Sequence, residues 1–332
     1  MSALRVLIIG GNGIISASTS RLAVERGMAL TLLNRGVDGT RPPIEGAESI
    51  VGDAGDPASI RAAVGDREFD VVANFRAFTP DQVEADVELF AGRTGQYIFI
   101  SSASAYQKPV AHLPIVESTP LHNPFWQYSR DKIACEDVLV RAYRDTGFPM
   151  TIVRPSHTYD PTLIPLMGEW TTLARIRDGR PIVIQGDGTS LWTLTHARDF
   201  ARAFVGLFGN PHALGSPVHI TSDESLTWNA IAALFARALG VEPNIVHVPS
   251  DAIARELPEI GDGLLGDKAH SVQFDNSRVK SLVPGWVATT PFAEGVGEIV
   301  DWYLADASRQ VPDAALDAAF DSLAQRFGRR SR

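Results

Sequence analysis

The sequence predicts an α/β protein: a doubly wound parallel sheet followed by a smaller C-terminal α/β unit. Three observations carry this. Short apolar runs of strand length alternate with longer segments of helical period through the first half of the chain, as parallel strands joined by crossover helices require. The first run ends in a glycine-rich turn, Gly10-Gly11-Asn12-Gly13, that leads straight into helical spacing. After Pro155 the rhythm shortens, and Pro161, Pro165, Gly168 and the turn Gly186-Asp187-Gly188 separate smaller elements.

Taken in chain order, a strand over residues 6–9, a helix over 14–26 and a strand over 29–33 make the first cycle. A third strand precedes Gly52, a helix covers 56–64, and strands follow at 70–75 and 97–100. A helix from about 126 to 143 and a strand at 150–153 complete the doubly wound part. Apolar spacing marks amphipathic helices over 228–239, 292–304 and 314–327. There is no internal repeat, low-complexity stretch or long linker, so the two parts are expected to share one interface.

The 332 residues are 45% hydrophobic and 21% charged, the balance of an ordinary globular chain. A net charge of −9 disfavours a nucleic-acid partner, whose phosphates need clustered Lys and Arg. The one basic cluster, Arg326, Arg329, Arg330 and Arg332, reads as a solvated tail. A single cysteine, Cys135, excludes an intramolecular disulfide and suits a reducing, cytoplasmic setting. The first apolar run is too short for a signal-peptide core or a membrane helix, so no membrane partner is expected. The histidines are dispersed and lack the spacing of metal ligands.

The glycine turn has a chemical reading beside its plain one as a strand-to-helix connection. Gly10 permits a sharp turn, and Gly13, lacking a Cβ, lets the backbone of Gly13, Ile14 and Ile15 approach a pyrophosphate at the helix N-terminus. Ser16 stands where a small residue allows close helix–strand packing. A site preferring NAD carries an acidic residue about twenty positions further on. Here Asn34 cannot repel a ribose phosphate and Arg35 can pair with one, which tilts the cofactor toward NADP, with NAD as the alternative. Arg35 pointing into solvent is the competing reading. Asp53, followed by Ala54, could meet the adenine amine or serve as a turn or capping residue for the helix over 56–64.

Ser101-Ser102-Ala103-Ser104 closes the strand at 97–100, and Tyr128-Ser129-Arg130-Asp131-Lys132 opens the next helix. Tyr128 and Lys132 lie one helical turn apart, so an ammonium is held near a phenol. Bringing a tyrosine from its ordinary pKa near 10 toward neutrality takes about 3–4 kcal/mol of preferential phenolate stabilisation, which Lys132 and a positive nicotinamide ring could supply. Tyr128 then acts as general acid toward a ketone or base toward an alcohol, and Ser102 holds the reacting oxygen. Alone, a Tyr-x-x-x-Lys pair is often an ordinary surface pair.

These residues together resemble the extended short-chain dehydrogenase/reductases, specifically the NAD-dependent epimerase/dehydratase group. The resemblance rests on Gly10-x-x-Gly13, Gly52-Asp53, Ser101-Ser102 and Tyr128-x-x-x-Lys132. It continues in Arg154-Pro155-Ser156-His157, in Gly186-Asp187-Gly188 leading to His196 and Asp199, and in Phe274-Asp275-Asn276-Ser277, and so spans nearly the whole chain. It implies a seven-stranded parallel Rossmann sheet with a small C-terminal substrate domain. Residues 1–160 with about 190–216 would bind the cofactor, and about 161–189 with 217–332 the substrate. It also implies Ser102, Tyr128 and Lys132 as catalytic residues, cofactor contacts that add Phe75, Arg76, Pro155 and His157, and a homodimer joined through two helices of the Rossmann domain.

Departures from the family pattern bear on the substrate. Where the family carries an arginine for a substrate diphosphate, this chain has Trp192, whose indole can stack and donate one hydrogen bond but cannot neutralise charge. Arg278 or Lys280 could compensate, or could simply face solvent. Ala103-Ser104 replace the Asp-Glu of sugar-nucleotide dehydratases, which disfavours dehydration. Arg76 replaces a small residue and reads either as an anion contact or as a surface arginine. Ser104, Trp126, His157, Tyr159 and Trp192 are candidate substrate-pocket residues, each with packing between cap and sheet as its alternative.

The expected function is hydride transfer at a secondary alcohol or ketone of a small sugar-like or polyol substrate, by a reductase, dehydrogenase or epimerase. The alternatives are a nucleotide-sugar epimerase with tightly bound NAD and, from another class, a non-catalytic nicotinamide-binding redox sensor or scaffold.

Overall fold

Strand β1 (Arg5–Ile9) is apolar from Val6 onward because both faces are covered: Val6 and Ile8 enter one core, Leu7 and Ile9 the other. The computed structural model describes residues 3–36 and 41–328, so Arg329, Arg330 and Arg332 of the expected tail lie outside the described residues. Helix α1 (Ile14–Glu25) leads to β2 (Ala29–Asn34), and β3 (Glu48–Val51), α2 (Pro57–Val64), β4 (Val71–Asn74), α3 (Pro80–Phe90) and β5 (Tyr97–Ile100) follow. Helix α4 (Gln127–Thr146) then returns the chain to β6 (Met150–Pro155). The same alternation recurs in β5, where Tyr97 and Phe99 face the second core and Ile98 and Ile100 the first.

These strands and Ser216–Ile220 form one seven-stranded sheet, ordered Ser216–Ile220, β6, β5, β4, β1, β2, β3, and every pairing is parallel. Ile60, Val83, Phe90, Cys135 and Leu139 from α2, α3 and α4 fill one side. On the other, α1 packs against the helix Ala197–Gly206, which contributes Phe200 and Phe204. Val218 and Ile220 are buried against the same core, so residues 217–220 stand in the large sheet, across the boundary expected at 216.

The smaller elements pair locally: Ile182–Gln185 with Ile245–Val248, Leu194–His196 with His157–Tyr159, and Leu191–Trp192 with Leu226–Thr227. Their core gathers Tyr159, Trp170, Trp228, Phe235 and Phe292. The helices Phe292–Leu304 and Ala314–Phe327 have the bounds their apolar spacing predicts. Helix α4 runs three residues beyond its expected end, stopping where Gly147 takes the left-handed conformation at φ 72°. No helix among the described residues is long and apolar enough to cross a membrane.

One buried polar cluster crosses this architecture. Arg154 on β6 donates from Nε and Nη2 to the two oxygens of Glu136 on α4, at 2.9 and 2.6 Å, and both residues are buried. The Ser101 hydroxyl donates to the same carboxylate, and Arg154 Nη1 donates to the carbonyl of Glu117 at 3.1 Å. Removing one partner of such a pair strands a buried charge. Arg154→Leu is therefore expected to lower unfolding stability by about 3–5 kcal/mol in urea titrations, and a loss below about 1 kcal/mol would contradict the importance given to the pair.

Candidate active site

In a doubly wound sheet the crossovers from β1 and β4 leave toward opposite faces, which opens a crevice at their carboxyl ends. The glycine turn follows β1 and Phe75-Arg76 follows β4, so both border that crevice. Gly10 has φ 85°, which favours glycine, and a Cβ there would lie 2.3 Å from Cγ of Arg76. Three of the turn's N–H groups are already engaged, that of Gly10 by the carbonyl of Leu33 at 3.0 Å. Gly11 N–H donates to Asn34 Oδ1 at 3.1 Å, and Gly13 N–H donates to Ser16 Oγ at 2.7 Å. Asn34 thus latches the turn, and Ser16 holds it by hydrogen bonding as well as by its small size.

A cleft of about 330 Å³ extends from this turn and brings together nine expected cofactor residues: Gly10, Gly13, Ile15, Asn34, Arg35, Asp53, Ala54, Phe75 and Arg76. Ile14 is the first helical residue and does not line it. Asp53 serves its own turn, accepting from Gly55 N–H at 2.9 Å while lining the cleft; the cap of α2 is Asp56. Arg35 is exposed at the rim. Bare backbone at Gly10 and Gly13, a long cleft and arginines along it fit a dinucleotide.

A second cavity of about 320 Å³ adjoins the first at Ile15 and Ile100. Ser102, Ser104, Trp126, Tyr128, Pro155, His157 and Trp192 all line it, as expected of pocket residues. The Trp126 and Tyr128 rings lie 4.8 Å apart. Ser102, Ser104 and the buried Ser129 form a row of hydroxyls at 2.8 and 2.7 Å.

Lys132 departs from expectation. Its ammonium donates to the carbonyls of Ala77 and Ile100 at 2.7 and 2.8 Å, and sits 5.7 Å from the centre of the Tyr128 ring. Burial lowers Lys132 to about 8 and raises Tyr128 to about 12. The Ser102 hydroxyl opposes the rise in Tyr128, and the charge of Asp267 adds to it. The protein by itself therefore moves the phenol's pKa away from pH 7, because desolvation outweighs the Ser102 hydrogen bond.

His157 accepts at Nδ1 from the Trp192 indole N–H at 3.0 Å, and Trp192 stacks on Trp228 at 5.2 Å. Burial and the charge of Lys268 push His157 down to about 3, so its ring is neutral near pH 7. Tyr159 is not a cavity residue. It is buried against His196, Phe292 and Gly295, the packing alternative, although it lies two residues from the cavity residue His157 on the same short strand. His196 pairs with Glu298 at 3.2 Å, and Asp199 accepts from Thr290 N–H at 2.9 Å, both holding helices in place. Arg278 and Lys280 line neither cavity, and Lys280 pairs with Asp223 at 2.9 Å.

Two charged cavity residues carried no sequence signal. Asp267 and Lys268 come from a single π-helical turn, Leu264–Lys268, and Asp267 lies 3.5 Å from the wholly buried ammonium of Lys108. Nothing in local periodicity distinguishes that turn. Among the described residues no group of three or more potential metal ligands occurs.

Residues 6–221 match the model of the NAD dependent epimerase/dehydratase family. The chain belongs to that family. Members of the NAD dependent epimerase/dehydratase family are extended short-chain dehydrogenase/reductases, enzymes that work with a nicotinamide cofactor. A family relative, the 2'-dehydrokanamycin reductase of Streptomyces kanamyceticus, is 27% identical over 98% of this chain and 91% of its own length. The chloroplast stem-loop binding protein of 41 kDa b of Arabidopsis thaliana is 29% identical over 73% of this chain, and the match spans 65% of that protein. In fold, the chain is similar to the dTDP-glucose 4,6-dehydratase of Bacillus anthracis in complex with NAD. The TM-score is 0.74 at 16% identity, covering 92% of this chain and 98% of that one.

The depressed pKa of His157 sets a direction for stability. Between about pH 6.5 and 3 the unfolded chain binds a proton at this ring that the folded chain refuses, so His157 lowers stability progressively as pH falls through that window. His157→Gln is expected to lose less melting temperature than the parent between pH 7 and pH 5, and an identical loss in both would contradict a ring held neutral in the folded chain.

Proposed function

We propose that this protein is an NADP(H)-dependent oxidoreductase that reduces a ketone of a small sugar-like or polyol substrate carrying no diphosphate. The observation that carries the reading is the junction at Ile15 and Ile100. There a cavity holding Ser102 and Tyr128 opens onto the cleft of the glycine turn. A bound nicotinamide cofactor would supply the hydride. Gly10, Gly13, Phe75 and Arg76 would hold it, with Arg35 at the rim for a ribose phosphate. Ser102 orients the carbonyl oxygen and Tyr128 delivers the proton. A phenol raised to about 12 is in its proton-donating form throughout the neutral range, which favours the reductive direction. Lys132 keeps a positive charge beside the ring.

The substrate class follows from what lines the second cavity. Trp126 and Trp192 give aromatic walls, the serines give hydroxyls, the charged residues are one of each sign, Asp267 and Lys268, and no arginine lines it among the described residues. The Trp192 N–H, in the place of the family's diphosphate arginine, is committed to His157. The full-length likeness to a protein named as a reductase supports the same direction. The stem-loop binding in another relative's name finds no support here, since the chain carries a net charge of −9. On the family likeness we further propose a cytoplasmic homodimer joined through helices of the large sheet. The strand at 216–220 would belong to the cofactor-binding part and the later elements chiefly to the substrate-binding part.

Tyr128→Phe is expected to reduce turnover by about 10²–10⁴-fold, followed at 340 nm with candidate ketones and NADPH, while cofactor affinity stays within about twofold; undiminished turnover would remove the proton-donor role. Arg35→Ala should weaken NADPH much more than NADH in fluorescence titrations, and equal effects on both cofactors would retire the ribose-phosphate contact.

A further inference from the structure

Arg76 is a cleft residue whose contact with the cofactor the reading above leaves unspecified. Its backbone is fixed: Arg76 N–H donates to Asn74 Oδ1 at 2.7 Å, and the amide of that buried asparagine donates to the buried Asp86 at 2.6 Å. Its stem is fixed as well, because the Cγ packs over the open face of Gly10 where a Cβ would stand 2.3 Å away. Its guanidinium lies 5.2 Å over the ring of Phe78, the ring that also faces the Lys132 ammonium at 4.6 Å. The side chain therefore runs from the glycine turn toward the catalytic helix, along a cleft it helps to line.

Arg76 is exposed along the cleft, so its charge is open to an anion bound there. Lys132 is close enough for the charge of Arg76 to depress its pKa, and Arg76 forms no ion pair among the described residues. The glycine turn is short of donors at the same time, since the N–H groups of Gly11 and Gly13 are spent on Asn34 and Ser16. A bound anion over this turn would find fewer free backbone donors than an uncommitted helix N-terminus offers. Arginine supplies what is missing, a planar fork of donors with a permanent charge.

We propose that Arg76 clamps the pyrophosphate of the cofactor from the β4 side, in place of the N–H groups that the turn has given to Asn34 and Ser16. This rests on the cofactor reading above and adds to it a division of labour. Arg76 recognises the pyrophosphate common to both nicotinamide nucleotides, whereas Arg35 discriminates between them.

ADP-ribose is the probe that isolates the claim, since it carries the pyrophosphate without the nicotinamide or a 2′-phosphate. Calorimetric titration of the full chain should show Arg76→Ala weakening ADP-ribose, NADH and NADPH alike, by tenfold or more. Adenosine binding should be unchanged and the deficit should shrink as salt is raised. Arg76→Lys, which keeps the charge, should recover part of the loss, and unchanged melting curves for both variants exclude a folding defect. Equal ADP-ribose affinity in the parent and Arg76→Ala would overturn the clamp, and tighter binding in the variant would show instead that the side chain obstructs the cleft. Failure of the parent protein to bind ADP-ribose, NADH or NADPH would sink the cofactor reading itself, a distinct result.

Discussion

Helix α4 presents Tyr128, Lys132 and Glu136 on successive turns, and the last of these is gripped by Arg154 and Ser101. Because Arg154 sits on β6 and Ser101 closes β5, the grip fixes the rotation and depth of α4 against the carboxyl ends of two strands. Lys132 adds a second tie to the same edge through the carbonyl of Ile100. The position of the Tyr128 hydroxyl in its cavity is a consequence of these buried contacts two turns away. Such a network satisfies its charges only in one arrangement, so it specifies geometry more than it adds stability.

The same burial that fixes the geometry decides the electrostatics. Tyr128 and Lys132 are both driven toward their neutral forms, the phenol upward and the ammonium downward, since each loses water. A protein that holds its phenol protonated and its histidine neutral offers donors to a substrate oxygen and few fixed charges to a substrate phosphate. Trp192 fits this pattern: its N–H is used internally by His157, and its face is packed on Trp228, leaving an apolar wall. The cofactor cleft has the opposite character, with Arg35 and Arg76 along it. The cofactor cleft thus carries an excess of cationic residues that the adjoining cavity, with Asp267 and Lys268, does not.

Much of this was legible in the residues. The strand-to-helix glycine turn, the two-faced apolar strands and the pair Tyr128 and Lys132 each carry a local pattern with one period or one spacing, and those elements stand where the pattern put them. Nine cleft residues and seven cavity residues could be named on that basis together with the family resemblance. Tyr159 could not be assigned to cavity or packing, because which residues of a short strand meet a cavity depends on what remote segments, here His196 and Phe292, pack over them. Asp267 and Lys268 were invisible because they reach the cavity from a π-helical turn more than a hundred residues from Tyr128 in the chain.

What the sequence determined alone is the order of the elements, their inward faces and the chemical types available, since hydrophobic period and turn chemistry act over a few neighbouring residues. Tertiary structure decided which donors stay free. Only folding commits Gly11 to Asn34, Gly13 to Ser16, Trp192 to His157 and Lys132 to two carbonyls. The reason is that a hydrogen bond or a desolvation penalty depends on distances between segments remote in the chain, and a linear pattern does not encode those distances.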